Sequence, residues 1–185
     1  MVLDRQRISV DEFEAYVNLP ENQDKLFELI GGEIVEVPSN PFASAISYEI
    51  GFHVKLFLRE HGIAGYVTGE AGGYMVAGER YAPDVAFISA ARQSVLAQEG
   101  YNPNPPEFAV EVDFPSTLAS QRKLRTKIAS YLAAGTLLWV VYPETKEIEV
   151  YTPGQPMHLK GMGDVLDGGH VLPGFQLAVE VVFKA

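Results

Sequence analysis

Cysteine is absent from this chain of 185 residues, so it holds no disulfide and no thiolate metal site. Long apolar runs are missing too. Stretches such as 136–142 fall far below the roughly 18 residues that a membrane-crossing helix needs. The opening MVLDRQRISVDEF has no apolar core of signal-peptide length. Basic residues are few, 14 against 24 acids, for a formal charge of −10. That balance argues against a protein that coats nucleic acid non-specifically, because such binding runs on phosphate neutralisation. An enzyme that meets nucleic acid through one local basic surface is not excluded, and clustered acids are also what a divalent cation requires. There is no internal repeat and no low-complexity tract. The expectation is a cytoplasmic protein, a single domain over 1–185, with no membrane partner.

The pattern along the chain predicts mixed elements. Ser9 and Glu12 have capping-box spacing, for a short helix to about Val17 that ends before Pro20. KLFELIGGEIVEVP is two apolar runs joined by Gly31-Gly32, a hairpin signal. After a polar cap, Pro41 opens a long helix in which Ile46, Ile50, Val54, Phe57 and Leu58 keep helical spacing, with Gly62 as its stop. A β-rich middle follows, then a loop over 90–106, a buried strand EFAVEV, and a helix from about Ser120 to Ala134 stopped by Gly135. TLLWVVYP and EIEVYTP read as strands, and the remaining C-terminal part as further strands and turns. The fold class is α/β (α+β): a mixed central β-sheet flanked by the two longer helices, with additional β-hairpins.

One strand carries a problem. In EFAVEVDFPS the apolar run ends in Glu111 and Asp113, which alternation sends to one face, before the chain breaks at Pro115. Two like charges at the end of a buried strand cost free energy unless something neutralises them. The following helix offers a cation. At about 100° per residue, with Leu124 as zero, Ile128 falls near +40°, Tyr131 near −20° and Lys127 near −60°. Lys127 therefore lies at the edge of the apolar face, while Arg122, Lys123 and Arg125 point outward. A lone lysine there ordinarily snorkels to water; Glu111 offers it another destination. A second acid, Asp84, sits with Pro83 at the start of the apolar strand VAFI.

Pro83-Asp84, Glu111 and a nearby lysine resemble the PD-(D/E)xK motif of restriction-endonuclease-like nucleases. The chain is similar in particular to the putative restriction endonuclease branch, whose lysine has migrated to the following helix. ISVDEFEAY, FELIGGEIVEVPS, APDVAFI, AVEV with PST, KIASYLAAGTLLWVVYPE and VLPGFQL match its segments in order. The resemblance implies a metal-dependent endonuclease that hydrolyses phosphodiesters, DNA above all. Asp84 and Glu111 would hold Mg²⁺ or Mn²⁺, and Lys127 would stabilise the charge developing on the phosphate. Glu28 matches the Glu of the family's first hairpin and would complete the site; as a bare strand residue it reads equally as an exposed acid. A homodimer is the expected assembly.

The chain departs from its relatives in places. Asp113 stands where the parent motif has its lysine; it reads as a solvated acid at a strand exit, an added ligand being the alternative. The histidine that many relatives carry at the start of the long helix is replaced near Ala43 and Ser44, and LASQR lacks an acid that relatives often have. Two rivals remain: an inactive member of the fold that binds nucleic acid or protein, and a structural protein that forms oligomers. The four histidines share no ligand spacing, and GEAGGYMVAGE reads as a turn between strands rather than a phosphate loop.

Overall fold

A computed structural model describes residues 7–38, 40–114 and 117–184. The expected chain exit at Pro115 and the stretch before Arg7 lie outside the described residues. Ser9 caps α1 (Val10–Val17): Glu12 N donates to Ser9 Oγ at 3.2 Å and Ser9 N to Glu12 Oε2 at 2.8 Å, the reciprocal box that the spacing predicts. The hairpin β1 (Phe27–Ile30) and β2 (Glu33–Glu36) turns on Gly31 and Gly32, whose φ values of 61° and 78° suit the mirror-image turn that antiparallel strands favour. Asn40 caps α2 (Pro41–Glu60), accepting from Phe42 N and Ala43 N through its side-chain oxygen.

A short 3-10 turn (Pro20–Asn22) follows α1, and the remaining strands and α-helices are β3 (Gly65–Gly69), β4 (Tyr74–Val76), β5 (Glu79–Tyr81), β6 (Val85–Ser89), β7 (Phe108–Val112), α3 (Leu118–Ala133), β8 (Leu137–Tyr142), β9 (Glu147–Tyr151), β10 (His158–Lys160), β11 (Val165–Gly168), β12 (Leu172–Ala178) and α4 (Val179–Val182). Two differ from the pattern reading. Helix α3 begins at Leu118 rather than Ser120, because Thr117 is the cap and Ser120 closes its box. The C-terminal segment ends in a helical turn, although valines favour strands. Val179 and Val182, three residues apart, are both fully buried, so packing overrides propensity.

A six-stranded mixed sheet in the order β10-β9-β8-β7-β6-β3 is the centre of the molecule. Among its named strands β7 and β8 are parallel and joined by α3, a βαβ unit; the other pairs are antiparallel. Alternation divides each strand between two cores. Val85, Phe87, Phe108, Val110 and Trp139 face α2, β12 and α4, whereas Ala86, Ile88, Ala109, Leu138 and Val140 face Leu124 and Tyr131 of α3. A second sheet, β2-β1-β5-β4, stands beside α3. Among the described residues no helix is long and apolar enough to cross a membrane.

Candidate active site

At the carboxyl end of β7 four elements bring their polar side chains into one place. Strand β7 presents Glu111 on the α3 side of the sheet, the side of Ala109. Its antiparallel register with β6, Val85 opposite Val110, continues to set Asp84 opposite Glu111 and so on the same face. Val112 N donates to Asp84 Oδ2 at 2.6 Å, and the other Asp84 oxygen has no hydrogen-bond donor among the described residues. The third element is α3, which lowers Lys127 onto the strand end. Lys127 Nζ donates to Glu111 Oε2 at 2.6 Å and to Glu28 Oε1 and Oε2 at 2.9 and 3.1 Å. The fourth is β1, which carries Glu28 across from the second sheet. Ala82 N also donates to Glu28 Oε1, at 2.8 Å.

All four sequence candidates thus meet. Lys127 does not snorkel: it is 8% exposed, and Glu28 and Glu111 are 5% and 7% exposed. The reading of Glu28 as an exposed strand acid is therefore incorrect. Both of its oxygens are turned to Lys127, a placement that no property of β1 alone could show. Asp113 differs from expectation as well. It is half-buried rather than solvated and lines the same cavity, with Oδ1 accepting from Phe114 N at 2.7 Å. It does not displace Lys127.

Two contributors escaped the sequence. Tyr131, one turn beyond Lys127, donates its hydroxyl to Glu111 Oε1 at 2.8 Å. Its position on the apolar stripe of α3 disguised it as a core aromatic, and the i+4 spacing from Lys127 was the available signal. Glu70, in the glycine-rich turn after β3, lines the cavity and repels a charge on Asp84. Nothing local in the sequence distinguished it. Of the outer basic residues, Lys123 is 3.6 Å from Glu33, and Arg122 and Arg125 are exposed.

Burial governs the electrostatics. It pushes the Glu111 carboxyl up to about 8, helped by the charges of Glu28 and Asp84 and opposed by Lys127. It pushes Asp84 up to about 6, opposed by the Val112 amide and by Lys127. For Lys127 burial alone favours the neutral amine, but Glu111 and Glu28 outweigh it and hold the ammonium charged. Burial, with Glu111 and Glu28, keeps the Tyr131 phenol protonated, as a donor must be. The ammonium also lies 5.5 Å from the centre of the Tyr81 ring.

The cavity, of about 300 Å³, is lined by Glu28, Glu70, Asp84, Glu111, Asp113 and Lys127. Five carboxyl groups thus face a cavity whose lining holds one ammonium, and three of them, Glu28, Asp84 and Glu111, gather around Lys127. Among the described residues no group of three or more His, Cys, Asp or Glu gathers as a ready metal cage. Glu28 accepts three hydrogen bonds, from Lys127 and the Ala82 amide; Asp84 has an oxygen with no donor among the described residues, and Glu111, with one hydrogen bond on each oxygen, keeps a lone pair on each that could face a cation. Two hard oxygen donors with positions left for water and phosphate suit Mg²⁺ or Mn²⁺ rather than zinc.

Residues 12–180 match the family model described as putative restriction endonuclease. A crystal structure from Anabaena variabilis, described as a putative nuclease, aligns with a TM-score of 0.78 over 95% of this chain and 97% of that one. The two sequences are 22% identical, so the likeness is one of fold. No curated protein matches the chain.

Proposed function

This chain belongs to the putative restriction endonuclease family, and from that premise we propose that it hydrolyses phosphodiester bonds in nucleic acid, DNA in the first instance, with Asp84, Glu111 and Lys127 as catalytic residues and Mg²⁺ or Mn²⁺ as cofactor. The observation that carries this reading is the convergence of three carboxyl groups, Asp84, Glu28 and Glu111, on one cavity around a single Lys127. Without a further counter-charge the acids there resist ionisation, which is why Glu111 and Asp84 are pushed up. A divalent cation would supply that charge, and Asp84 and Glu111 fit it in donor type. When bound, the cation supplies polarisation of the phosphate and acidification of a water.

The protein's own groups have separable tasks. Asp84, fixed by the Val112 amide, offers its second oxygen to the cavity. Glu111 is held from both sides, by Tyr131 on Oε1 and Lys127 on Oε2, so its carboxylate is oriented before substrate arrives. Lys127 lines the cavity and stabilises negative charge that grows on the phosphate during attack. Glu28 positions Lys127 and keeps it protonated. A homodimer is the assembly we expect, read from sedimentation velocity.

The test is cleavage of single- and double-stranded DNA and RNA with Mg²⁺ or Mn²⁺, comparing wild type with Asp84→Ala, Glu111→Ala and Lys127→Ala. Each variant is expected to lose about 100-fold or more. Equal activity in all four proteins would mean contamination and end the proposal. The acid at position 113 is the observation that favours the rival reading, an inactive member of the fold that binds nucleic acid. Asp113→Ala separates the two, because a gain in cleavage would identify Asp113 as the residue that suppresses it.

A further inference from the structure

The acidic cavity opens onto a larger groove of about 870 Å³ that the chemistry above does not use; Asp84 and Glu70 line both. One wall is α2. Tyr48, Phe52, Lys55 and Arg59 follow one another at spacings of four, three and four residues, which confines them to a stripe about 60° wide. The buried side of the same helix is Ile46, Ile50, Val54 and Phe57, so the stripe is not core. Tyr48 is 76% exposed and Phe52 50%, which is unusual for neighbouring aromatics on one helix. Lys55 and Arg59 make no ion pair with any described residue, in a chain whose net charge is −10. The facing wall includes Val67, Thr68, Gly69, Ala71 and Gly72, small and uncharged, so a ligand backbone can come close there; Glu70 is the acid within this run.

We infer that this groove seats a single-stranded nucleic-acid segment whose unpaired bases stack on Tyr48 and Phe52 while Lys55 and Arg59 take its phosphates. The inference rests on the phosphodiester chemistry proposed for the adjoining cavity and names the form of its substrate. Open aromatic faces offer energy only to bases whose own faces are free, which a stacked duplex denies. The stripe is about 16 Å long at the helical rise, or roughly five nucleotides at 3.4 Å each. It leads to Asp84, so a strand lying along α2 would deliver a phosphate to the acids. A second copy of this chain could also bring acids to Lys55 and Arg59, but it gives no reason for the groove to run to Asp84 and the cavity beyond.

The experiment is fluorescence anisotropy in EDTA with labelled twelve-residue oligothymidylate and oligouridylate, and with a duplex of the same length. Wild type is expected to bind the single strands more tightly than the duplex. Tyr48→Ala and Phe52→Ala should each weaken single-strand binding about tenfold. Lys55→Glu and Arg59→Glu should weaken it and lower the slope of log K against log salt by roughly 0.7 for each phosphate that no longer meets a cation. Lys160→Glu, on the opposite edge strand β10, should leave it unchanged. Thermal melting confirms that these surface variants fold. Undiminished binding by the groove variants, tighter binding to duplex, or no oligonucleotide binding would each overturn the inference. So would a fall in sedimentation coefficient in Tyr48→Ala and Phe52→Ala with oligonucleotide binding intact, which would assign the groove to a contact between copies. Wild type that binds in the groove but cleaves nothing with Mg²⁺ or Mn²⁺ ends the catalytic reading alone, and cleavage with groove-independent binding ends this one alone.

Discussion

Lys127 is where the energetics of single residues are most exposed to test. It is enclosed by Glu28, Glu111 and the Tyr81 ring, with Tyr131 closing the far side of Glu111. Lys127→Met would leave two carboxylates buried without their cation. We expect a loss of about 3–5 kcal/mol at neutral pH, read from the urea midpoint, and partial recovery on acidification as the acids become neutral. Tyr131→Phe removes the hydroxyl that donates to Glu111 Oε1. It should cost about 1 kcal/mol and reduce the cleavage rate, while rates with Tyr131→Phe and Glu111→Gln combined should fall no further than with Glu111→Gln alone. The acids also set a pH dependence. Glu111 near 8 and Asp84 near 6 lie above their unfolded values of 4.5 and 3.8, so between those limits the folded chain holds protons that the unfolded chain releases. Stability from this pair is thus fully present at low pH and is lost as pH rises from about 4 to 8. Denaturant titrations of metal-free protein across that range should show a steeper decline for wild type than for Glu111→Gln; equal slopes would contradict the assignment.

At the scale of elements, the site depends on how two segments are anchored. Helix α3 must start where it does for Lys127 to land on Glu111. Its start is fixed by the box in which Ser120 N donates to Thr117 Oγ1 at 3.1 Å and Thr117 N to Ser120 Oγ at 3.0 Å. Thr117→Ala should cost about 1 kcal/mol in thermal unfolding and lower activity without changing the fold. Strand β1 must in turn bring Glu28 to the same helix, and its register is set by the tight turn at Gly31-Gly32. A Cβ at Gly32 would approach Arg7 Cβ to 2.8 Å on a backbone with φ +78°, so Gly32→Ala should cost more than the ~1 kcal/mol of an ordinary glycine replacement. Circular dichroism melts check both.

Over the whole molecule, the balance of charge is what a cation would change. The chain carries a formal charge of −10, and at the end of β7 the carboxyl groups of Asp84, Glu28 and Glu111 gather around the single ammonium of Lys127. Binding a divalent ion to the folded form alone should raise stability, by about 2.7 kcal/mol at a concentration one hundred times Kd. Calorimetry should therefore show an upward shift of Tm with Mn²⁺ or Mg²⁺, reversed by EDTA and absent in Asp84→Asn. The shift should grow with pH, because the ion competes with the protons that Asp84 and Glu111 retain. A metal-independent Tm would count against the cofactor while leaving the groove along α2 untouched.

Local chemistry was legible in the sequence by itself. The Ser9 box, the Gly31-Gly32 hairpin and the buried β7 follow from contacts within a few residues, and the angle of Lys127 follows from helical period alone. Even the pairing of Lys127 with Glu111 could be reached, since a strand and the helix after it are neighbours in a βαβ unit. What lay beyond reach was whatever depends on separate segments meeting. Glu28 lies 99 residues from the lysine it bonds, and its burial exists only because the second sheet packs beside α3. Tyr131 looked like core because apolar neighbours and a carboxylate share one side of its helix. The end of the chain read as strand until Val179 and Val182 found an apolar core that rewarded a helical turn. Asp113 and Glu70 gained their place at the cavity rim, and Tyr48 and Phe52 their groove, from backbones brought alongside by the sheet. Sequence determines which faces each element offers; the tertiary structure decides which faces meet, because burial and charge pairing are properties of pairs of segments and not of either one.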